Sequence, residues 1–211
     1  MTVDDLLASG TAPIVAILRG VAPDEVLAIG EALVEAGIRL IEVPFNSPDP
    51  ATSIRILQQA FGDRAAIGGG TVLDIASVEA LAATGGTIMV TPNTNPAVIA
   101  RGVELGLEPM PGFVTPSEAF QAIAAGARRL KLFPAVAFGP AYLKAVREIL
   151  PKTVRVWAVG GTGADNLADW LAAGAEGIGV GGALYKPGDS AATVGTRARA
   201  LVAAWQAARS V

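Results

Sequence analysis

The chain is 211 residues long, 17% charged with a net charge of -3, and contains neither cysteine nor histidine. That length suits one domain with a full core, and a weakly acidic chain without a basic run is a poor partner for nucleic acid. The missing residue types exclude disulfides, zinc–thiolate sites, thiol nucleophiles, Ser-His-Asp triads and His-ligated metal centres, so proton transfer falls to Glu, Asp, Lys, Tyr or water, while a carboxylate-only magnesium site stays open.

The first residues, Met1-Thr2-Val3-Asp4-Asp5, are acidic and carry no signal-peptide core. No apolar run reaches the roughly 18 residues of a membrane span, and the expectation is a soluble, cytoplasmic protein. A short helix near 3–9 is expected to cap the bottom of the fold. Beyond it a rhythm sets in: apolar helical stretches end in a small residue plus glycine, and a short apolar run follows. Gly37, Gly85, Gly106, Gly126 and Gly174 mark these stops, 48, 21, 20 and 48 residues apart. Glycine just past a helix takes the left-handed conformation without a Cβ clash. The two long intervals each hold a further unit, around Phe61-Gly62-Asp63 and Leu150-Pro151-Lys152.

The strands this spacing predicts are 13–18, 39–44, 66–71, 87–91, 108–112, 129–133, 155–159 and 177–181. Eight βα units across 1–211 imply one (β/α)8 TIM-barrel domain, with an open doubly wound sheet as the structural alternative. In a barrel the active face is formed by the C-terminal ends of the strands and the loops after them.

Lys131, in Arg129-Leu130-Lys131-Leu132-Phe133, is the sharpest feature. Strand side chains alternate, so Leu130 and Leu132 face the helices and Lys131 points into the barrel. A buried ammonium tends to lose its proton, which is what a Schiff-base lysine needs. A lysine held by a carboxylate for structure is the plainer alternative. The same alternation in Leu40-Ile41-Glu42-Val43-Pro44 turns Glu42 inward, as partner of the lysine, as general acid/base, or as half of a plain buried ion pair. Lys144 on a helix, Lys152 in a turn and Lys186 in a loop before Pro187 look duller.

Arg19 closes the first strand, where it suits a carboxylate or a phosphate, or simply a surface loop. Gly68-Gly69-Gly70-Thr71 ends the third strand. Gly160-Gly161-Thr162-Gly163 ends the seventh and Gly179-Val180-Gly181-Gly182 the eighth. Glycines at these two strand ends, with backbone N–H groups at a helix start, point to a phosphate site. Thr115-Pro116-Ser117-Glu118 reads as a capping box, Pro23-Asp24-Glu25 as an acidic helix start, and Asp165-Asn166 as the opening of the helix after strand seven. Trp170 and Trp205 read as helix packing.

Taken together, Val15-Ala16-Ile17-Leu18-Arg19-Gly20, Ile41-Glu42-Val43-Pro44, Gly70-Thr71-Val72-Leu73, Val90-Thr91-Pro92-Asn93, Pro111-Gly112, Leu130-Lys131-Leu132-Phe133-Pro134 and Val159-Gly160-Gly161 resemble the 2-keto-3-deoxy-6-phosphogluconate and -phosphogalactonate aldolase family. The pieces run in order over nearly the whole chain. The resemblance implies a trimeric, metal-independent class I aldolase that needs no cofactor and cleaves a phosphorylated keto-deoxy sugar acid to pyruvate and glyceraldehyde 3-phosphate. By position it implies that Lys131 forms the Schiff base and Glu42 shuttles protons. Thr71 and Arg19 would hold the pyruvyl end, and Gly160, Gly161, Gly181 and Gly182 would cradle the phosphate.

The run Glu42-Val43-Pro44-Phe45-Asn46-Ser47-Pro48, with Phe138-Gly139-Pro140, looks more like the galactonate branch. The gluconate branch tends to carry Arg at position 46 and Thr at position 159, where this chain has Asn46 and Val159. Gly182 is a departure, because the family often has Ser there. The alternatives that remain are the gluconate epimer or both epimers as substrate, a phosphosugar isomerase or epimerase, and a non-catalytic sugar-phosphate-binding barrel.

Overall fold

The computed structural model describes residues 1–209; Ser210 and Val211, which the expected domain 1–211 includes, lie outside the described residues. Its strands are β1 (Ile14–Ile17), β2 (Leu40–Pro44), β3 (Ala66–Gly70), β4 (Ile88–Val90), β5 (Glu108–Met110), β6 (Gly112–Phe113), β7 (Arg129–Leu132), β8 (Arg155–Val159) and β9 (Gly177–Val180). The pairings between them are parallel, and the hydrogen-bonded order is β5-β4-β3-β2-β1-β9-β8-β7-β6.

The two ends of that order, β5 and β6, are successive pieces of one stave, separated only by Pro111. The barrel therefore closes through the chain itself, and the Lys131 amide donates to the Pro111 carbonyl (2.8 Å) across the seam. A continuous strand 108–112 was the expectation; the structure corrects it to two short pieces. Proline has no N–H for the ladder and breaks it at that point. With the fifth stave counted once, eight staves remain, as a (β/α)8 barrel requires, and the open-sheet alternative falls. Elsewhere the expected strands agree with the observed ones to within one or two residues.

The helices are α1 (Val3–Ala8), α2 (Val26–Glu35), α3 (Pro50–Phe61), α4 (Ile75–Ala82), α5 (Pro96–Glu104), α6 (Pro116–Ala124), α7 (Gly139–Arg147), α8 (Leu167–Ala172) and α9 (Ala191–Ala208). From α2 on they follow the strands and cover the barrel. The five glycine stops adopt positive φ, between 76° and 103°. The unit at Gly62 departs from this: that residue caps α3 with φ −64°, so its helix closes without a left-handed residue.

Two apolar layers result from strand alternation. Outward residues such as Ile41, Val43, Leu130 and Leu132 pack with the helices. Inward residues, among them Val15, Ile17, Leu40, Trp157 and Val159, form a separate interior cluster, which α1 closes from below with Val3 and Leu6. The expected capping helix is thus present, started by a reciprocal capping box between Thr2 and Asp5.

The same floor holds a charge cluster. Arg129, 3% exposed, donates to Asp4 of α1 (2.5 Å), Glu108 of β5 (3.1 Å) and Glu176 before β9 (2.9 Å). Burial works against the Arg129 charge, but the three carboxylates outweigh it and hold its pKa above the ordinary value. The indole N–H of Trp157 donates to Glu176 as well (2.7 Å).

One local expectation needs correction and another refinement. Glu25 does not serve as a simple acidic helix start; it turns back, and its Oε1 accepts from the Ala22 amide (3.0 Å) and the Tyr185 hydroxyl (2.7 Å). Asn166 stands at the start of α8 but makes no capping bond to it. Its side chain braces the glycine loop instead, as described below. The box at Thr115 and Glu118 forms as expected, and Trp170 and Trp205 are buried against the barrel.

Candidate active site

Lys131 lies in register with Trp157 on β8 and Gly112 on β6. It therefore points into the barrel, and it is 6% exposed. Its Nζ sits 4.6 Å from the centre of the Phe133 ring. Among the described residues no carboxylate forms an ion pair with it and no group accepts its hydrogen bond. The structural alternative, a lysine clamped by a carboxylate, does not describe this geometry.

Glu42 is in register with Ile17 and Gly68 and is 2% exposed. Its Oε2 is buried with no hydrogen-bond partner. Gly70 on the next strand makes room for the carboxylate, because a Cβ there would lie 1.4 Å from Oε2. A carboxylate left so is costly to keep charged.

Lys131 divides two spaces. Above it opens a cleft of ≈ 800 Å³, walled by the loops after β1, β8 and β9. Below it lies a small space of ≈ 10 Å³ that Glu42, Met110 and Trp157 help to line. Ile17, Val159 and Gly179 border both spaces. Lys131 thus borders both spaces, while Glu42 borders only the smaller one.

The electrostatics follow from this burial. Loss of water lowers the Lys131 pKa; the Glu42 charge opposes that shift, and the positive charge of Arg19 adds to it. Loss of water raises the Glu42 pKa, against the pull of Lys131 and Arg19. Each group is pushed toward its neutral form. A neutral amine facing an open cleft is a nucleophile, and a carboxyl group with a raised pKa can both give and accept a proton.

The far wall of the cleft is backbone. Gly160 and Gly161 carry φ of 97° and 75°, and a Cβ at Gly161 would press on Val136 at 2.5 Å. Asn166 holds this loop from both sides, accepting from the Gly163 amide (3.0 Å) and donating to the Gly161 carbonyl (2.8 Å). Thr162 donates to the Gly179 carbonyl (2.7 Å), tying this loop to β9. Gly181 accepts from the amides of Leu184 and Tyr185, so the second loop is a turn. The N–H groups here come from turns and not from a helix start, because α8 begins only at Leu167.

Of the residues singled out in the sequence, Lys131, Arg19, Val159, Gly160, Gly161, Gly181 and Gly182 line the cleft together, and Glu42 lies just beneath. Thr71 follows β3 with φ 56° and borders neither space. Lys186, which the sequence reading set aside, lines the cleft, as do Tyr185 and Asp165. Their place within a few residues of the ends of β9 and β8 is the signal that could have found them.

Comparison with known proteins agrees with this arrangement. The family model described as "Aldolase: KDPG and KHG aldolase" matches residues 5–193. The 2-dehydro-3-deoxy-6-phosphogalactonate aldolase of Escherichia coli (strain K12) is 46% identical over 196 residues, 93% of this chain and 96% of that one. A 2-dehydro-3-deoxy-phosphogluconate aldolase of Pseudomonas aeruginosa is 34% identical over 149 residues, 70% of this chain and 67% of that one. A solved structure described as "Native KDPGal structure" superposes with a TM-score of 0.93 at 46% identity, covering 94% of this chain and 97% of that one. The chain belongs to the KDPG and KHG aldolase family.

Proposed function

We propose that this protein is a class I aldolase that cleaves 2-dehydro-3-deoxy-6-phosphogalactonate to pyruvate and D-glyceraldehyde 3-phosphate. The observation that carries the reading is the unpaired Lys131 amine at the base of the cleft, with the unpartnered Glu42 carboxylate behind it. The higher identity and coverage of the phosphogalactonate relative than of the phosphogluconate one support the choice of epimer.

The neutral Lys131 amine adds to the C2 carbonyl of the substrate, and the carbinolamine loses water to leave an iminium ion. The C4 hydroxyl then gives up its proton, with Glu42 as acceptor directly or through water. The C3–C4 bond breaks, and its electron pair moves into the iminium to form an enamine. C4 leaves as the aldehyde carbon of glyceraldehyde 3-phosphate. Glu42 helps return a proton to C3, and water releases pyruvate from Lys131. The electron sink is the iminium itself.

Arg19, which lines the cleft, holds the pyruvyl end, and the amides around Gly160, Gly161, Gly181 and Gly182 bind the phosphate. Anchoring the phosphate across the cleft brings the keto carbon to the amine, so remote binding energy serves the reacting centre. The apolar Val159, which borders both spaces, faces C4, the carbon at which the two epimers differ. The active form is a homotrimer, an assignment that rests on the family resemblance and that light scattering tests.

Borohydride reduction in the presence of pyruvate is the decisive experiment. A reduced pyruvyl adduct on Lys131, absent from Lys131→Met, is the expected result. No adduct on a protein that still binds sugar phosphates would sink the aldolase reading in favour of an isomerase or a binding barrel.

A further inference from the structure

Glu42 lies on β2 and Arg19 just past the end of the neighbouring β1, and the loops that follow these two strands are stitched together at two points. Arg19 Nη1 donates to Asn46 Oδ1 (2.7 Å), and the next amide, Gly20 N–H, donates to Ser47 Oγ (2.9 Å). Two consecutive residues of one loop hold two consecutive residues of the other.

The position of Asn46 is itself fixed by backbone bonds. The Phe45 amide donates to the Gly70 carbonyl (2.7 Å), carrying the β2–β3 pairing one residue further, and the Ser47 amide donates to the Pro44 carbonyl (2.9 Å). Asn46 is therefore the third residue of a tight Pro44–Ser47 turn, a place that suits Asn. Ser47 is buried and Asn46 exposed.

An arginine at the mouth of a cleft is a long, flexible side chain, and its guanidinium offers five N–H donors. A single neutral acceptor on one nitrogen restrains the head, leaves the other donors free, and takes away none of the charge. A carboxylate in the same place would restrain it equally well but would cancel that charge. Arg19 has no acidic partner among the described residues.

We propose that Asn46 is a positioning residue: its neutral amide aims the Arg19 guanidinium across the cleft at the carboxylate end of the substrate while leaving that guanidinium's full charge for the substrate. The proposal rests on the function given above. It is supported by the reach of the Arg19 charge, which lowers the pKa of both Lys131 and Glu42. The charged groups around the Lys131 amine are Glu42 from β2 and Arg19 from the β1 loop, with Lys186 and Asp165 across the cleft. Of these, Asn46 touches only Arg19.

The test compares Asn46→Asp and Asn46→Ala with the wild type. The readouts are exchange of the pyruvate methyl hydrogens with solvent, borohydride trapping of the adduct, and thermal melting. Asn46 is exposed, so both variants are expected to melt with the wild type. In Asn46→Asp the new carboxylate claims Arg19: KM for pyruvate rises about tenfold or more, kcat changes less, and the acid limb of the pH profile moves to higher pH because Lys131 loses the push of a free cation. In Asn46→Ala, Arg19 keeps its charge but loses its aim, so KM rises and the acid limb stays in place. Wild-type KM and an unmoved acid limb in Asn46→Asp, with the Lys131 adduct still forming, would overturn the role of Asn46 while leaving the aldolase reading intact. Failure of the wild type itself to form the adduct would overturn the aldolase reading, and this inference with it.

Discussion

Strand β7 carries two cations on the same inward face, two residues apart, and the barrel treats them in opposite ways. Arg129 is gripped by Asp4, Glu108 and Glu176 at the closed end of the barrel. Lys131, one step up, meets an aromatic ring, an open cleft and a carboxylate it does not touch. Full pairing keeps a buried charge and makes it structural. Burial without pairing drives the group toward neutrality and makes it reactive. The distinction lies in the partners, since depth of burial is similar for both.

The comparison breaks most visibly if Lys131 is removed. Lys131→Met is expected to lower kcat/KM by about 10⁴-fold or more and to abolish the borohydride adduct, while the protein becomes more stable. Burial holds the folded-state pKa of Lys131 below 10.5. Between that lowered value and 10.5 the unfolded chain binds more protons than the folded one, so stability rises with pH across this window. The advantage of Lys131→Met over the wild type should therefore be largest below the window and shrink as pH climbs toward 10.5, which chemical denaturation at a series of pH values will measure. Parallel curves for the two proteins would contradict an unpaired amine.

Glu42→Gln keeps the shape and removes the titration. A loss of about 10²- to 10⁴-fold in kcat is expected, with the adduct still formed but slowly. Unchanged turnover would leave the carboxyl group without a part in proton transfer.

At the other end, Arg129→Met removes the cation that Asp4, Glu108 and Glu176 share, leaving Glu108 with Arg128 and Glu176 with Arg155 and the Trp157 indole. Breaking such a buried network costs about 3–5 kcal/mol, measured by denaturation, while kcat per folded molecule stays near wild type. A comparable loss of kcat without loss of stability would erase the contrast between the two cations. The smallest effect is expected of Tyr185→Phe, which removes one hydrogen bond to Glu25. It should cost about 1 kcal/mol and loosen the turn after β9, raising KM for the phosphorylated substrate more than KM for pyruvate.

Much of this was legible in the sequence where the signal is local. The two-residue period of a strand turned Lys131 and Glu42 inward, and the glycine stops counted out the units. Side-chain pairings across the chain left no local trace. The partners of Arg129 come from α1, β5 and the segment before β9, 125, 21 and 47 residues away. The Arg19–Asn46 bond joins two loops 27 residues apart; Arg19 read as an anion clamp or a surface group and Asn46 as a branch marker, with nothing local to link them. Lys186 was passed over because a loop lysine before proline has no periodicity to betray it. The break at Pro111 was visible as a residue, but its consequence, a stave whose halves bond to different neighbours, depends on closure of the barrel. Thr71 shows the converse: a motif match named it, and it borders neither of the two spaces beside Lys131.

Gly161 and Gly182 stand in the same cleft with unequal freedom. At Gly161 both the positive φ and Val136 forbid a side chain; a Cβ built at Gly182 meets nothing within 4 Å, and its backbone is one that any residue adopts. One wall of the cleft is therefore frozen and the other editable. On the proposed phosphate site, a hydroxyl installed by Gly182→Ser adds a donor for that group, and a bulkier apolar residue there would favour aldehydes that lack a phosphate. Substrate range in this scaffold can drift, or be engineered, at a single position without disturbing the fold that holds the amine.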